Sequence, residues 1–348
     1  MSVRLKVVDP ETDKRWDDFV CAQPKGSVYH HSAWIKVLES TYGYRRFCVA
    51  LQNDATDKFE GLVPLLLVKS RLTGQRLVAL PFTTHCDLLI PEHELQSVIN
   101  LASEHHPAID YVEFKFLQSL DGVSDSLVKQ TGYVTHTLSL NGGPEQLFRS
   151  FHATSVRQRI KRAEKCRLTL RMAEDEKDVE KFYELETAVR KKHGLPPPPY
   201  AFFANLWLIL KPKNLLAVPL IEHKGRVIAA ATVLKFKDTV YFEYSASDQD
   251  SLKLCPNQKL IWEAIKMACR EGFRHFDFGR SSAGHRSLID FKERWGAKRR
   301  QLLYYYWPKA KKIDTENGLG RRALCFVNRL LPCGLLKLEG ELLHRHLG

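Results

Sequence analysis

A lysine that directly follows a large aromatic residue stands out in the stretch FDFGRSSAGHRSLIDFKERWG, residues 276–296. The pattern predicts a strand, a polar loop that contains glycine, and a short helix that carries Phe291 and Lys292. An ammonium group that a fold holds in place can stabilise an oxyanion in a transition state, an effect of about 10²–10³ in rate. The alternative is that Lys292 is an exposed helix charge, paired with Asp290 or Glu293.

Three further polar side chains lie where strands or helices are predicted to begin or end, and sites of α/β proteins often form there. Arg280 follows a glycine at a strand end, Tyr244 lies near the end of the strand YFEYSAS, and Asn257 lies in the first turn of the helix PNQKLIWEAI. Each has a structural alternative, namely bridging loops, packing, or starting a helix. GxxxxGK[ST], GxGxxG after a strand and GxSxG do not occur, so these patterns predict neither a nucleotide-binding loop nor a serine-hydrolase elbow.

The charge balance favours an anionic partner. Against 40 acidic residues the 348-residue chain has 53 lysines and arginines, a net charge of +13. Nucleic acid, a phosphorylated substrate and an anionic membrane face all fit this balance, as does a basic surface kept for solubility.

Cysteine usage and hydropathy restrict the class of protein further. The eight cysteines form no CxxC pair, and His85-Cys86 is the one close pair of metal-ligand type, so we predict no metal site. Apolar runs such as GLVPLLLV are much shorter than the ~20 residues of a membrane span. The first residues lack the apolar region of a signal peptide, so we expect a cytoplasmic protein.

The predicted elements occur in a similar order twice along the chain. Each half contains a helix followed by antiparallel strands, and then a second helix that leads into a further strand. Mixed hairpins with one strand–helix–strand crossover per half indicate the α/β (α+β) class. We therefore predict two domains, residues 1–150 and 151–310, each a mixed sheet flanked by helices, and a basic amphipathic helical tail, residues 311–348. The predicted elements that matter below are helices over 155–166 and 199–210 and a strand over 215–225.

Two helical segments have surfaces that could bind a partner. The predicted helix SVRQRIKRAEKC places Arg157, Lys161 and Lys165 on one face, which suits either a solvated linker or contact with phosphates. The tail mixes leucines and other apolar residues with arginines, as in RRALCFVNRLL. It could pack on its own protein or lie in an anionic membrane interface.

Eight segments, taken together and in order, resemble the FemAB-like branch of the GNAT superfamily over about residues 20–307. They are HSAWIKVLESTYG, RQRIKRAEK, FYELETAVRKKHGLPPPPYAFF, VIAAATVLKF, YFEYSASD, PNQKLIWEAI, FDFGRSS and DFKERWGAK. The resemblance implies two tandem GNAT-like domains. Fem-type proteins transfer an amino acid from aminoacyl-tRNA to an amine of a peptidoglycan precursor, whereas the wider superfamily moves acyl groups from coenzyme A. The segment SDQDSLKLCPNQKLIWEAI lacks the glycine pattern typical of coenzyme A binding.

The resemblance also suggests roles for individual residues. Trp34 and Lys36 match the W-x-K motif, whose lysine contacts sugar-nucleotide phosphates in the family. Phe291 and Lys292 match the F-K pair whose lysine meets the aminoacyl donor. Arg190 is the best match to an arginine that holds substrate phosphate.

The function that the resemblance implies is N-acyl or aminoacyl transfer onto an amine of a cell-envelope or exopolysaccharide precursor. Lys292 would stabilise the oxyanion formed during aminolysis, and Asp277, Glu243 or the substrate itself would accept the proton. The donor would be aminoacyl-tRNA or an acyl thioester such as acyl-CoA, with no tightly bound cofactor. The expected partners are an anionic nucleotide- or lipid-linked precursor, tRNA, and the inner membrane face through the tail. The alternative is a noncatalytic GNAT-like module that binds an anionic glycolipid, a nucleotide-sugar or RNA.

Overall fold

The computed structural model describes residues 3–120, 126–309 and 319–347, and the chain divides into two compact units. The first unit contains the described residues of 1–133, 301–313 and 345–348, and the second contains those of 134–300 and 314–344. The sequence predicted domains that are continuous in the chain, with the boundaries 1–150, 151–310 and 311–348. Each compact unit instead also contains a segment from later in the chain. The predicted domain boundaries therefore stay a prediction.

A mixed sheet with a single parallel pair forms the centre of the first unit. Its strands, in spatial order, are β1 (Val3–Val8), β2 (Arg45–Asn53), β3 (Phe59–Ser70), β4 (Gly74–Val78), β5 (Tyr111–Phe116) and most of β13 (Lys298–Trp307). Neighbouring strands are antiparallel except β4 and β5, whose parallel pairing the helix α3 (Leu95–His105) makes possible. This is the one crossover predicted for the first half.

The helices of the first unit bury one apolar face each. They are α1 (Arg15–Ala22), α2 (Ser32–Tyr42) and α3. In α2 the His31 side chain accepts a hydrogen bond from the Ala33 N–H at the start, and Gly43 ends the helix with φ of 69°. Trp34 and Leu38 lie on the buried side of α2, as their spacing of four residues requires.

The second unit repeats the arrangement. Its sheet order is the second half of β6 (Val128–Ser139), β12 (His275–Ser282), β11 (Thr239–Ser247), β10 (Arg226–Phe236), β9 (Pro219–His223) and β7 (Thr169–Met172), with β8 (Leu216–Ala217) beside β10. β11 and β12 are parallel and are joined by α8, residues Pro256–Arg270. The strand predicted over 215–225 is divided into β8 and β9. Pro219 has no N–H to donate and stands as the first residue of β9.

Eight helices of the described second unit surround this sheet. They are α4 (Gly143–Ser150), α5 (Gln158–Lys165), α6 (Glu176–His193), α7 (Tyr200–Asn205), α8, α9 (Arg286–Glu293), α10 (Leu319–Leu330) and α11 (Cys333–Leu343). Two predicted helices are shorter than expected. In the range 155–166 only α5 is regular α-helix, and in the range 199–210 only α7 is. Wider π-helical turns form at residues 153–157 and 206–210.

The tail helices α10 and α11 pack on α6 and its following loop. A side chain at Gly194 would lie 2.1 Å from the Cys325 carbonyl oxygen, and one at Gly340 would lie 2.1 Å from that of Pro197. The tail therefore contacts its own protein, one of the two alternatives that the sequence left open. Among the described residues, no helix combines the length and the apolar character that a membrane crossing requires.

Candidate active site

A β-bulge in β11 creates the candidate site of the second unit. β11 and β12 pair in parallel from Thr239 to Tyr241, opposite His275 to Asp277. On its other side β11 pairs with β10, where Thr232 faces Tyr244 and Val233 faces Phe242, so that Glu243 is the extra residue. Bulges of this kind re-aim a side chain and are common beside active sites.

Lys292 reaches this region from α9. Its side chain is 5% exposed, and its Nζ donates to the carbonyl oxygens of Gly279 at 2.7 Å and Arg280 at 3.4 Å. A protonated lysine has three N–H donors. Two of them have protein acceptors among the residues that the structure describes, so one remains for a substrate oxygen. The alternative of an exposed helix charge does not hold for Lys292.

Asp277 organises the end of β12. Its Oδ1 accepts from the Thr135 hydroxyl at 3.0 Å and from the Gly279 N–H at 2.6 Å. Gly279 has φ of 70°, a conformation that other L-residues adopt only with strain. The glycine turns the chain so that its N–H faces Asp277 and its carbonyl oxygen faces Lys292.

Burial shifts the two charged groups of this site toward their neutral forms. Desolvation lowers the pKa of Lys292 to about 8, although nearby Asp277 and Glu243 oppose the shift. Desolvation raises the pKa of Glu243 to about 8, with Asp277 raising it further and Lys292 opposing. Opposite shifts that converge near neutral pH are typical of acid–base groups in enzymes.

His136 is a site residue that sequence reasoning missed. Its side chain is fully buried on β6, with Nε2 3.8 Å from the Glu293 Oε1. Burial, together with the charges of Lys292 and Arg299, lowers its pKa to about 4. The imidazole is therefore neutral at neutral pH. The available signal was the polar pair Thr135-His136 inside an otherwise strand-like segment.

Phe291 and Arg280 flank Lys292 in different ways. The Phe291 ring packs edge-on against Trp295, with ring centroids 6.5 Å apart, and so fixes α9 on the core. Arg280 contributes its backbone carbonyl to Lys292, while its side chain is exposed at the end of β12. The roles predicted for Phe291 and Arg280 stay predictions.

Tyr244, Arg190 and Asn257 belong to the same unit. The Tyr244 ring packs edge-on against Phe202 and Phe203 at 5.4 and 5.5 Å, and burial raises the pKa of its hydroxyl. Arg190 forms a 2.7 Å ion pair with Glu186 on α6. Asn257 is half-buried in the first turn of α8.

Trp34 and Lys36 lie in the first unit. Trp34 is 1% exposed and packs edge-on against Tyr29, so it lies in the core of the first unit, and its predicted contact with a substrate stays a prediction. Lys36 is half-buried and forms a 2.9 Å ion pair with Glu11. Its predicted phosphate contact stays a prediction.

Comparison with known proteins identifies the class. Residues 150–293 match the family model described as an acetyltransferase (GNAT) domain. This match covers the bulge, β12 and α9 up to Glu293. No curated protein sequence matches the chain.

Solved structures show a similar fold over most of the chain. FemX has a TM-score of 0.70 at 15% identity, covering 88% of this chain and 97% of its own. L-PGS from Bacillus licheniformis has a TM-score of 0.56 at 13% identity, covering 92% and 97%. A tandem GNAT protein from the clavulanic acid biosynthesis pathway has a TM-score of 0.53 at 10% identity, covering 89% and 100%.

The family match confirms the predicted acyltransferase class, and the solved structures confirm the predicted fold. The second unit carries a GNAT domain, the acyltransferase class expected from the sequence. Over 88% and 89% of the chain the fold is similar to those of FemX and of the tandem GNAT protein, as the resemblance to the FemAB-like branch implied.

Proposed function

We propose that the protein is a FemAB-like N-acyl or aminoacyl transferase whose reaction takes place at Lys292. The observation that carries the proposal is the buried Lys292 ammonium, fixed on the Gly279 carbonyl oxygen at 2.7 Å in the GNAT domain. A positive charge held in a poorly solvated place stabilises a developing oxyanion more than it stabilises the neutral carbonyl of the ground state.

The proposed reaction forms an amide and breaks an ester or thioester. The acceptor amine attacks the donor carbonyl carbon, and the free N–H of Lys292 hydrogen-bonds the resulting oxyanion. Glu243, whose pKa is raised to about 8, takes the proton that the amine loses. Collapse of the tetrahedral intermediate breaks the bond to the donor oxygen or sulfur, which takes the proton from Glu243 and leaves as the alcohol or thiol. The donor is already activated, so the reaction needs no covalent intermediate with the enzyme.

Aminoacyl-tRNA is our first candidate donor, with an acyl thioester as the alternative. A coenzyme A site uses backbone N–H groups at the start of a helix to bind pyrophosphate. The start of α8 differs, because Cys255 has φ of 61° and Pro256 lacks an N–H. Exposed cations on α5 would suit an RNA backbone: Arg159, Lys161, Arg162 and Lys165. These features weigh against a standard coenzyme A site without identifying the donor.

The proposed acceptor is an amine on an anionic precursor of the cell envelope, including peptidoglycan or an exopolysaccharide. The net charge of +13 favours a nucleotide- or lipid-linked substrate. Arg280, Arg190, Tyr244, Asn257 and Lys36 are the proposed substrate-binding residues. We place the reaction in the cytoplasm, at the inner face of the membrane where a lipid-linked precursor is presented.

A transfer assay with two donors tests the proposal. The wild-type protein is mixed with an amine acceptor and either radiolabelled aminoacyl-tRNA or radiolabelled acyl-CoA, and amide product is measured. We expect product from one donor and a loss of about 10²–10³ in rate for Lys292→Ala. Product formation that is equal in the wild type and Lys292→Ala would contradict the role of Lys292.

The cations of α5 also favour a second candidate, a noncatalytic module that binds an anionic glycolipid, a nucleotide-sugar or RNA. Four exposed cations on one short helix suit phosphate binding whether or not chemistry follows. Saturable binding of tRNA or a nucleotide-sugar, with no amide product from either donor, would favour this candidate over the transferase.

A further inference from the structure

The helix α10 turns its apolar side outward. Phe326, Val327 and Leu330 are 62%, 51% and 71% exposed, whereas Asn328 is 1% exposed and donates to Glu339 Oε1 at 3.2 Å. A surface helix of a globular protein normally shows the reverse, with its apolar stripe facing the core. The orientation of α10 therefore leaves a large apolar face without a protein core beneath it.

The helix α11 also exposes one apolar side. Leu335, Leu338 and Leu342 are spaced by three and four residues, share one side of the helix, and are 50–60% exposed. Leu336 is fully buried on the inner side, and Lys337 lies 4.9 Å from the Tyr183 ring of α6. The inner side therefore holds α11 on the protein while the leucines point to solvent.

Both helices thus expose apolar side chains, and we call this set of residues the tail face. It consists of Phe326, Val327, Leu330, Leu335, Leu338 and Leu342. Exposed apolar residues that are concentrated in this way mark an interaction surface, whereas isolated ones need no explanation.

We propose that the tail face docks in the interface of an anionic membrane. From residue 309 to 348 the sequence has eight lysines and arginines against four acidic residues. An exposed cation, Arg329, lies beside Phe326 and Leu330 on α10. Apolar side chains with neighbouring cations are what an interfacial helix needs, because the chains enter the acyl boundary while the cations meet anionic headgroups.

Charge favours a membrane over a second copy of this chain as the occupant. Two copies that met at the tail face would each bring a net charge of +13, which opposes association, whereas an anionic bilayer attracts the same charge. Membrane docking itself does not depend on the proposed function. Its role does rest on that function, since docking would bring the enzyme to a lipid-linked acceptor.

Vesicle flotation of the full chain tests the inference. We expect binding to phosphatidylglycerol-containing vesicles, weaker binding to phosphatidylcholine alone, and a further decrease as salt is raised. The double variant Phe326→Asp and Leu330→Asp should reduce the vesicle-bound fraction at least tenfold. The matched control is Leu208→Asp, which changes a leucine that is 56% exposed outside the tail and should leave binding unchanged.

Three results would overturn docking: no flotation, equal flotation of wild type and double variant, or a dimer in light scattering that the double variant dissociates. The transferase proposal is judged separately, by transfer to a water-soluble amine acceptor without vesicles. That rate should be the same in the double variant and the wild type, since neither residue belongs to the site of Lys292.

Discussion

The Lys292 ammonium donates a 2.7 Å hydrogen bond to the carbonyl oxygen of Gly279, and this bond ties α9 to the end of β12. The two residues are thirteen positions apart, yet the bond is buried. The carbonyl fixes where the positive charge lies without neutralising it, as an opposing carboxylate in direct contact would. The charge stays available for a substrate oxygen.

Lys292→Ala should abolish most transfer while the fold is retained. We expect kcat/KM to fall about 10²–10³ because one preorganised donor to the oxyanion is lost. Circular dichroism and thermal melting should show a folded protein, since burial already disfavours the charged lysine in the folded state.

A matched control is available in another buried lysine of the same unit. Lys235 is 8% exposed and pairs with Asn214 at 2.7 Å and Glu271 at 3.1 Å, outside the site. Lys235→Ala should lower stability by leaving its partners without a cation but keep kcat/KM within about threefold. An equal loss of activity in both variants would assign Lys292 a structural role only.

The pH profile of transfer should be narrow and centred near pH 8. The proposed mechanism needs Glu243 ionised and Lys292 protonated, and both have a pKa of about 8. The rate therefore rises as Glu243 loses its proton and falls as Lys292 loses its own. Because the two groups interact, the observed values belong to the pair.

Glu243→Gln separates the two limbs of the profile in measurements of kcat/KM against pH. The acid limb should disappear, because glutamine does not titrate. The alkaline limb should move to lower pH, because removing a carboxylate that supports the charge of Lys292 lowers the pKa of that lysine further. An acid limb that persists in Glu243→Gln would identify a different base.

Gly279→Ala should reduce activity beyond its effect on stability. Alanine at φ of 70° costs about 1–2 kcal/mol, so the free energy of unfolding should fall by that amount in a denaturant titration. Relief of this strain would also rotate the carbonyl oxygen that holds Lys292. We expect transfer to fall at least tenfold.

Gly225→Ala is the control for backbone strain alone. Gly225 has φ of 76° in the turn between β9 and β10, with open space around an added side chain. Its variant should lose a similar amount of unfolding free energy and keep full activity. If both variants were equally active, Gly279 would not position the lysine.

Lys36→Gln tests the predicted phosphate contact of the first unit. The exposed pair with Glu11 contributes about 0–1 kcal/mol, so stability should change little. We expect KM for the anionic acceptor to rise three- to tenfold with kcat unchanged, because a contact made equally in ground and transition states is lost.

The control is Lys58→Gln, which changes an exposed lysine in the loop between β2 and β3 of the same unit and should leave KM unchanged. Equal KM values for both variants would remove Lys36 from the binding residues.

The repeated order of elements was enough to predict the fold class, because hydrophobic period and turn residues are local signals. The crossovers through α3 and α8 follow from that order. The division of residues 215–225 into two strands depends on how Pro219 pairs with neighbouring strands. Hydrophobic periodicity contains no information about that pairing. The π-helical turns at 153–157 and 206–210 likewise depend on packing and leave no simple pattern.

For the site, sequence gave Lys292, Phe291 and Arg280 as neighbours because they lie on one strand–loop–helix segment. The polar pair Thr135-His136 in a strand-like segment was a weak signal that did not reveal its partners, since the approach of these residues to Asp277 and Lys292 depends on strand order in the folded sheet. The W-x-K motif illustrates the opposite problem. Trp34 and Lys36 are two residues apart, but helical geometry sends one into the core and the other to solvent.

The close approach of Gly194 to Cys325 and of Gly340 to Pro197 has an evolutionary consequence. Any side chain at either glycine would force the tail away from α6, since its first atom would lie 2.1 Å from a carbonyl oxygen. Gly194 also has φ of 70°, so glycine is favoured there with or without the tail. Residues such as asparagine, which tolerate this conformation, should therefore occur at position 194 only in relatives that have lost the tail. An inventory of relatives with and without α10 and α11 would show whether the tail and Gly194 have been inherited as one unit.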